Sequence, residues 1–236
     1  MSDFISVIII LLAMVIQAFL QLTPGVFACF YHHALGKTSV KKADDASLSF
    51  ILGTEIFTAI AFLTIYIIIS FIAADKITDN NIYTAILAGV FIAEAVITLF
   101  FYFRRNTKKK EQSTRLFLPR HITKSLIRNA NKVKNRSDTI TLGIITATLE
   151  LFFTLPLYII ISTEILNLSL RYGFVYIIAY IIIATIPLFA IRTAFRTDHN
   201  LAEIQRFRVS KKSLIRLILS LSYLLIAILI IVKGWL

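Results

Sequence analysis

The segment from Gln17 to Lys37 reads QAFLQLTPGVFACFYHHALGK. It closes the first apolar run of the chain and is interrupted by Thr23-Pro24-Gly25. Proline lacks a backbone donor, and its ring clashes with the preceding turn, so a carbonyl there is left free. In lipid that carbonyl has to find protein or water. The segment is therefore expected to break the helix near Pro24 and to form the wall of an internal site. Gln17 and Gln21 are four residues apart, on one helical face with Thr23 nearby. They either hydrogen-bond a solute or join helices to one another.

The rest of the chain is too apolar for a soluble domain. Of its 236 residues, 58% are hydrophobic and 16% are charged, against about 45–50% and about 25% in soluble domains. Mean hydropathy is +0.81. The charges lie in blocks between six apolar runs, each able to reach about 20 residues, the length that spans a bilayer. The runs are Phe4 to Leu35, Leu48 to Ala74, Ile82 to Phe103, Ile140 to Thr163, Tyr172 to Ile191 and Leu214 to Val232. Pro156 lies inside the fourth and Pro187 near the end of the fifth. The expected fold class is an all-α membrane protein of six transmembrane helices. The acidic start, MSDF, lacks the basic region of a secretory signal, so the first run is read as a retained transmembrane helix.

Lysine and arginine orient the spans. The loop after the first run holds Lys37, Lys41 and Lys42; the one from Arg104 to Asp138 holds twelve basic and two acidic residues; the one from Arg192 to Lys212 holds six and two. The alternate loops carry little more than Asp75, Lys76, Asp79, Glu164 and Arg171. All three basic loops fall on one side of a six-helix plan, which places them in the cytoplasm and both termini outside it. The formal net charge of +12 suits nucleic acid by its sign. Its concentration in these loops fits membrane topology instead, and no nucleic acid is expected. Within the long loop, Ile122, Leu126, Ala130 and Val133 recur at helical spacing among Lys124, Arg128, Lys132 and Lys134. This reads as a basic amphipathic helix on the membrane surface, with a docking helix for a cytosolic partner as the alternative. A smaller copy follows Asp198, with Leu201, Ile204 and Phe207 apolar. The chain thus divides into residues 1–103, a basic loop at 104–138, and residues 139–236. Two units of three helices are antiparallel to one another, the inverted-repeat plan of many transporters. Each unit opens with a proline-bearing helix, at Pro24 and Pro156.

Three carboxylates interrupt the apolar runs: Glu55, Glu94 and Glu150. A charge in mid-helix costs about 2.5–3.5 kcal/mol to insert, so such groups face the bundle interior, pair, or hold a proton. At about 1.5 Å per residue from the basic ends, the three lie at depths of roughly 10 to 16 Å and are expected to meet in one layer. Neighbouring acids do not all ionise cheaply, which is the chemistry of a proton or cation relay. The structural alternative is that each is protonated and hydrogen-bonded to a neighbouring helix. His32 and His33 are adjacent, so they do not share a helical face, and no metal site is expected of them. The single cysteine, Cys29, forms neither an internal disulfide nor a dithiol pair. Tyr66, Tyr83, Tyr102 and Trp235 lie near span ends, as an interfacial aromatic belt requires. No phosphate-cradling loop, nucleophile cluster or metal-ligand spacing appears, so neither an enzyme nor a cofactor is expected.

Leu22-Thr23-Pro24-Gly25, then Gly36-Lys37, then Phe50-Ile51-Leu52-Gly53-Thr54-Glu55 resembles the lysine exporter superfamily of small membrane transporters. Val26 stands where that family has a second proline, and Leu155-Pro156-Leu157 where its second half has Asn-Pro-Lys. The resemblance implies two inverted triplets of helices, export of amino acids or other small solutes, and a path lined by Pro24 and Gly25. The expected function is a secondary transporter of the cytoplasmic membrane that exports a small solute or ion. Gln17, Gln21, Thr23, Pro24, Gly25, Glu55, Glu94, Glu150 and Pro156 would line its pathway. Its surroundings are the lipid bilayer and the solute, with assembly into a homo-oligomer left open. The competing expectation is a membrane scaffold whose basic loop recruits a partner.

Overall fold

The computed structural model describes the backbone of residues 2–34, 40–74, 81–103, 135–168, 170–196 and 201–234. Every element among them is helical: α1 (Ser2–Ala34), α2 (Val40–Ala74), α3 (Asn81–Phe103), α4 (Arg136–Asn167), α5 (Leu170–Arg196) and α6 (Leu201–Gly234). All six contain a stretch long and apolar enough to cross a membrane. Every helix also turns large apolar side chains outward, among them Phe71, Phe152 and Phe174, at 73%, 81% and 69% exposure. A water-soluble monomer does not expose contiguous apolar surface on this scale.

Two expectations about the helices change. α1 does not break: it is one helix through Thr23-Pro24-Gly25, and α4 is likewise continuous through Pro156. Proline frees a single carbonyl, whereas opening a turn in lipid would free several backbone groups, so the intact helix is the cheaper state. The amphipathic segment after Asp198 is not a separate helix either. From Leu201 onward it is the first part of α6, whose 34 residues reach about 51 Å, well beyond a hydrocarbon core of about 30 Å. The amphipathic segment expected in the long basic loop lies outside the described residues.

The helices pack mainly in three pairs, α2 along α4, α3 along α6 and α1 along α5. α1 is central and also touches α2, α4 and α6. The closest approach joins α2 to α4. A Cβ placed on Gly53 would fall on the Ile140 carbonyl oxygen, and one on Gly143 would meet the Phe50 carbonyl and come within 2.9 Å of the Thr54 nitrogen. Absent side chains let the two backbones touch, the small-residue packing that membrane helices use in place of hydrophobic collapse. Around this crossing Thr54 donates its hydroxyl to the Phe50 carbonyl at 3.0 Å and Thr146 to that of Leu142 at 2.8 Å. Neither hydroxyl is therefore left unpaired beside lipid. α4 begins at Asn135, whose N–H donates to Asp138 at 3.2 Å, and turns into α5 at Leu168. The α3–α6 pair is tied by Ser220, which donates to the Ala95 carbonyl at 2.9 Å, and by Phe91 against Tyr223 with ring centroids 6.0 Å apart.

Charged pairs close the two ends. At one end Lys233 of α6 donates to Glu164 of α4 and to Ser6 of α1, the latter at 2.8 Å. Tyr83 of α3 meets Thr163 of α4 at 2.7 Å in the same layer. Glu164, expected in a loop, is thus a buried helical residue. At the opposite end Arg192 of α5 grips Asp44 of α2 through two hydrogen bonds of 2.9 and 3.1 Å. Arg136 of α4 stands 3.6 Å from Asp45.

Because Gly143 has a backbone oxygen where its side chain would be, Gly143→Ala is expected to destabilise the protein by about 1–3 kcal/mol. Gly89 is the control: it faces a groove between α3 and α6, and a methyl added there would meet nothing within 4 Å. Gly89→Ala should be neutral to within about 0.5 kcal/mol, or mildly stabilising through helix propensity. Thermal unfolding of both variants in detergent checks the contrast.

Candidate functional site

The Gly53–Gly143 crossing sets where the acids of α2 and α4 point. Glu150 lies seven residues beyond Gly143, two turns further along the same face, and Thr154, Tyr158 and Ser162 continue that stripe at intervals of four. Glu55 lies two residues beyond Gly53 and so turns roughly 200° away from the crossing. Tyr180 of α5 interacts electrostatically with Glu55. Tyr158 in turn interacts electrostatically with Glu150 and lies near the hydroxyls of Thr58 and Thr154. The two tyrosine rings meet edge-on at 5.9 Å, and Phe62 of α2 packs on both, at 5.7 Å from Tyr158 and 4.5 Å from Tyr180. Glu55 thus acts electrostatically on Tyr180 and Glu150 on Tyr158, two tyrosines whose rings touch.

Several of these groups are buried without a partner. Neither oxygen of Glu55 has a hydrogen bond, nor do Glu150 Oε2, the Tyr180 hydroxyl and the Ser162 hydroxyl. The Tyr180 hydroxyl lies close to that of Tyr158 and interacts with it electrostatically, but the pair does not complete a well-formed hydrogen bond. On α1, Gln17 is fully buried with both amide atoms unpartnered, and Gln21 is buried with its Oε1 unpartnered. Leaving one such group unsatisfied costs about 1–3 kcal/mol, so a run of them is seldom kept for stability.

Depth can be counted from the layer that joins Ser6, Lys233 and Glu164. Gln17 lies about 16 Å from it along α1, Glu150 about 21 Å along α4, and Glu94 about 16 Å from Tyr83 along α3. By this count they fall well inside their helices, away from the end layer. They do not share one site. Glu94 is half-buried beside Tyr223 in the α3–α6 pair, away from the Tyr158–Tyr180 pair. Pro156 is buried in α4 and removes the donor that would meet the Phe152 carbonyl. Thr23, Pro24 and Gly25 have helical backbone, and their side chains lie outside the described residues, as do those of Cys29, His32 and His33. Among the described residues no group of three or more His, Cys, Asp or Glu gathers as a metal site.

Tyr158, Tyr180, Thr58 and Thr154 are absent from the sequence-based set of pathway residues. A partial signal exists for α4, where Glu150, Thr154 and Tyr158 recur every four residues on one face. Nothing in the order of residues links Tyr180 to Glu55, because that neighbourhood is made by packing α5 on α2. Comparison with protein-family models, with curated proteins and with solved structures finds no match.

The Glu164–Lys233 pair supplies a check on how the bundle is closed. Lys233→Met leaves a buried carboxylate alone and should cost about 3–5 kcal/mol, whereas Glu164→Gln combined with Lys233→Met should cost much less. A double-mutant cycle on thermal unfolding measures the difference.

Proposed function

We propose that this chain is a secondary transporter of the cytoplasmic membrane that exports a small solute, with a proton or cation exchanged at the intramembrane glutamates. The observation that carries the reading is the set of buried, unpartnered polar atoms at mid-bundle, on fully buried Gln17, Gln21 and Tyr180 and on half-buried Glu55 and Glu150. They lie between two ends that are each closed by ion pairs. Intramembrane acids facing a bundle interior mark ion and substrate pathways by default.

Three further features support it. The motif around Leu22-Thr23-Pro24-Gly25 resembles that of the lysine exporter superfamily, whose members move amino acids and other small solutes. The contact pattern suits two inverted units. Exchanging α1, α2 and α3 with α4, α5 and α6 carries the α1–α5 pairing onto α4–α2 and leaves α3–α6 on itself. Under the same exchange the two proline-bearing helices, α1 and α4, trade places. By the positive-inside rule the Asp44–Arg192 end faces the cytoplasm and both termini face out. Because α1 and α4 stay helical, side chains rather than freed backbone would hold the solute, a departure from the broken-helix plan.

Purified protein in liposomes under an imposed pH gradient is expected to move protons together with an amino acid or small cation from a test panel. Glu150→Gln and Glu55→Gln should each slow that flux by about tenfold or more, as befits acids that carry the coupled charge. Lack of any flux under every gradient tried would overturn the reading.

A further inference from the structure

The six helices fall into two groups. α2 along α4 and α1 along α5 form a group of four, joined because α1 also touches α2 and α4 and α5 touches α2. α3 and α6 pack chiefly on each other. They meet the four along α1 and where the start of α3 reaches α4. The polar contacts are unevenly placed between the two ends. At one end Lys233 of α6 donates to Glu164 of α4 and to Ser6 of α1, and Tyr83 of α3 meets Thr163 of α4. These three bonds tie the pair to the four in a single layer. At the other end Arg192–Asp44 and Arg136–Asp45 run from α5 and α4 to α2 and stay inside the four. Of the ion pairs described, Lys233–Glu164 is thus the one that crosses between the groups.

Away from that layer the joint is apolar. Ile9, Ala13 and Ile16 of α1 and Ile226, Ala227 and Ile230 of α6 are buried in one core. Lipid tails are as apolar as these side chains, so a seam of this kind parts at little cost in a bilayer. The Lys233 layer is of another kind. The Glu164 and Lys233 side chains are only 5% and 15% exposed while it is closed. Such a pair adds little net stability over apolar packing, and parting it is costly unless water reaches both charges. Water reaches them only at an end of the bundle, which is where they stand. The pair therefore suits a contact that opens to water and reseals better than one that only glues helices together. We infer that α3 and α6 move as one rigid body against the other four helices, and that the Lys233–Glu164–Ser6 cluster is the latch that holds this body shut. Opening the latch parts α6 and α3 from α1 and α4 at that end, while the ion pairs on α2 keep the four together. The Ser220–Ala95 bond and the Phe91–Tyr223 contact travel with the moving pair. The inference rests on the transport reading and names its moving part, but it is tested by distance rather than by flux.

The test is the distance between paired spin labels in the full-length protein in liposomes, in a Cys29→Ser background. Labels go on exposed positions: Ile86→Cys on α3, Leu214→Cys on α6, Phe71→Cys on α2 and Phe174→Cys on α5. Ile86, Phe71 and Phe174 lie toward the latch end of their helices. Glu164→Gln with Lys233→Met removes both charges of the latch without stranding either. In that variant the Ile86–Phe174 distance, which spans the two groups, should gain a second population longer by about 5 Å, one turn of helix. The Phe71–Phe174 distance, inside the four, and the Ile86–Leu214 distance, inside the pair, should each keep one population. Tyr83→Phe removes only the hydroxyl contact with Thr163, so it serves if the double variant does not fold, and should give the same second population in smaller proportion. No new Ile86–Phe174 population, or one matched by changes in either control distance, would overturn the inference. A swing of the pair without any solute or proton flux would sink the transport reading and leave the moving body standing. Flux with the Ile86–Phe174 distance fixed under every gradient would do the reverse.

Discussion

At Gly53 and Gly143 the backbones of α2 and α4 touch, and the rest of the bundle is arranged around that contact. In lipid no hydrophobic force drives helices together, so close approach and interhelical polar contacts have to do it. Two glycines facing the opposing carbonyls permit an approach that any side chain would prevent. The contact fixes the rotation of both helices about their axes. Rotation, in turn, sends Glu150 and Tyr158 inward along α4 and turns Glu55 toward α5. Polar groups that would be intolerable on the lipid face are thereby gathered inside.

Charge is sorted by depth. Near each end of the bundle acids are met by bases from other helices: Glu164 by Lys233, Asp44 by Arg192. These pairs join four different helices and also cover the interior from both sides. Between them the acids have no described basic partner. A buried ion pair is a weak source of stability but a strong constraint on register, since a slip by one turn would strand both charges. The end pairs therefore hold the helices in the register that keeps the middle layer level.

Much of the plan is legible in the chain itself. Six runs of sufficient length, separated by charged blocks, already state a six-span protein, and the helices correspond to those runs with extensions at their ends. Glu55, Glu94 and Glu150 stand out because an acid in an apolar run has few explanations. The prolines mislead at one point. A broken helix is the natural reading of Thr23-Pro24-Gly25 and of Pro156, yet both helices continue, since one lost hydrogen bond costs less than an opened turn in lipid. Glu164 misleads in the opposite sense. It reads as a loop residue because the apolar run ends there, whereas Lys233, some seventy residues on, draws it into the helix and buries it.

Sequence by itself determined the all-helical class, the number of helices long and apolar enough to cross a membrane, and the position of each acid along its helix, because hydropathy and a rise of about 1.5 Å per residue act along one helix at a time. Only the tertiary structure decided which side chains surround each acid. Depth is a property of a single chain segment, but lateral position depends on which helix lies beside which and how each is rotated. The Gly53–Gly143 contact and the packing of α5 on α2 leave Glu55 in electrostatic reach of Tyr180 and Glu150 of Tyr158, and the α3–α6 pairing sets Glu94 beside Tyr223.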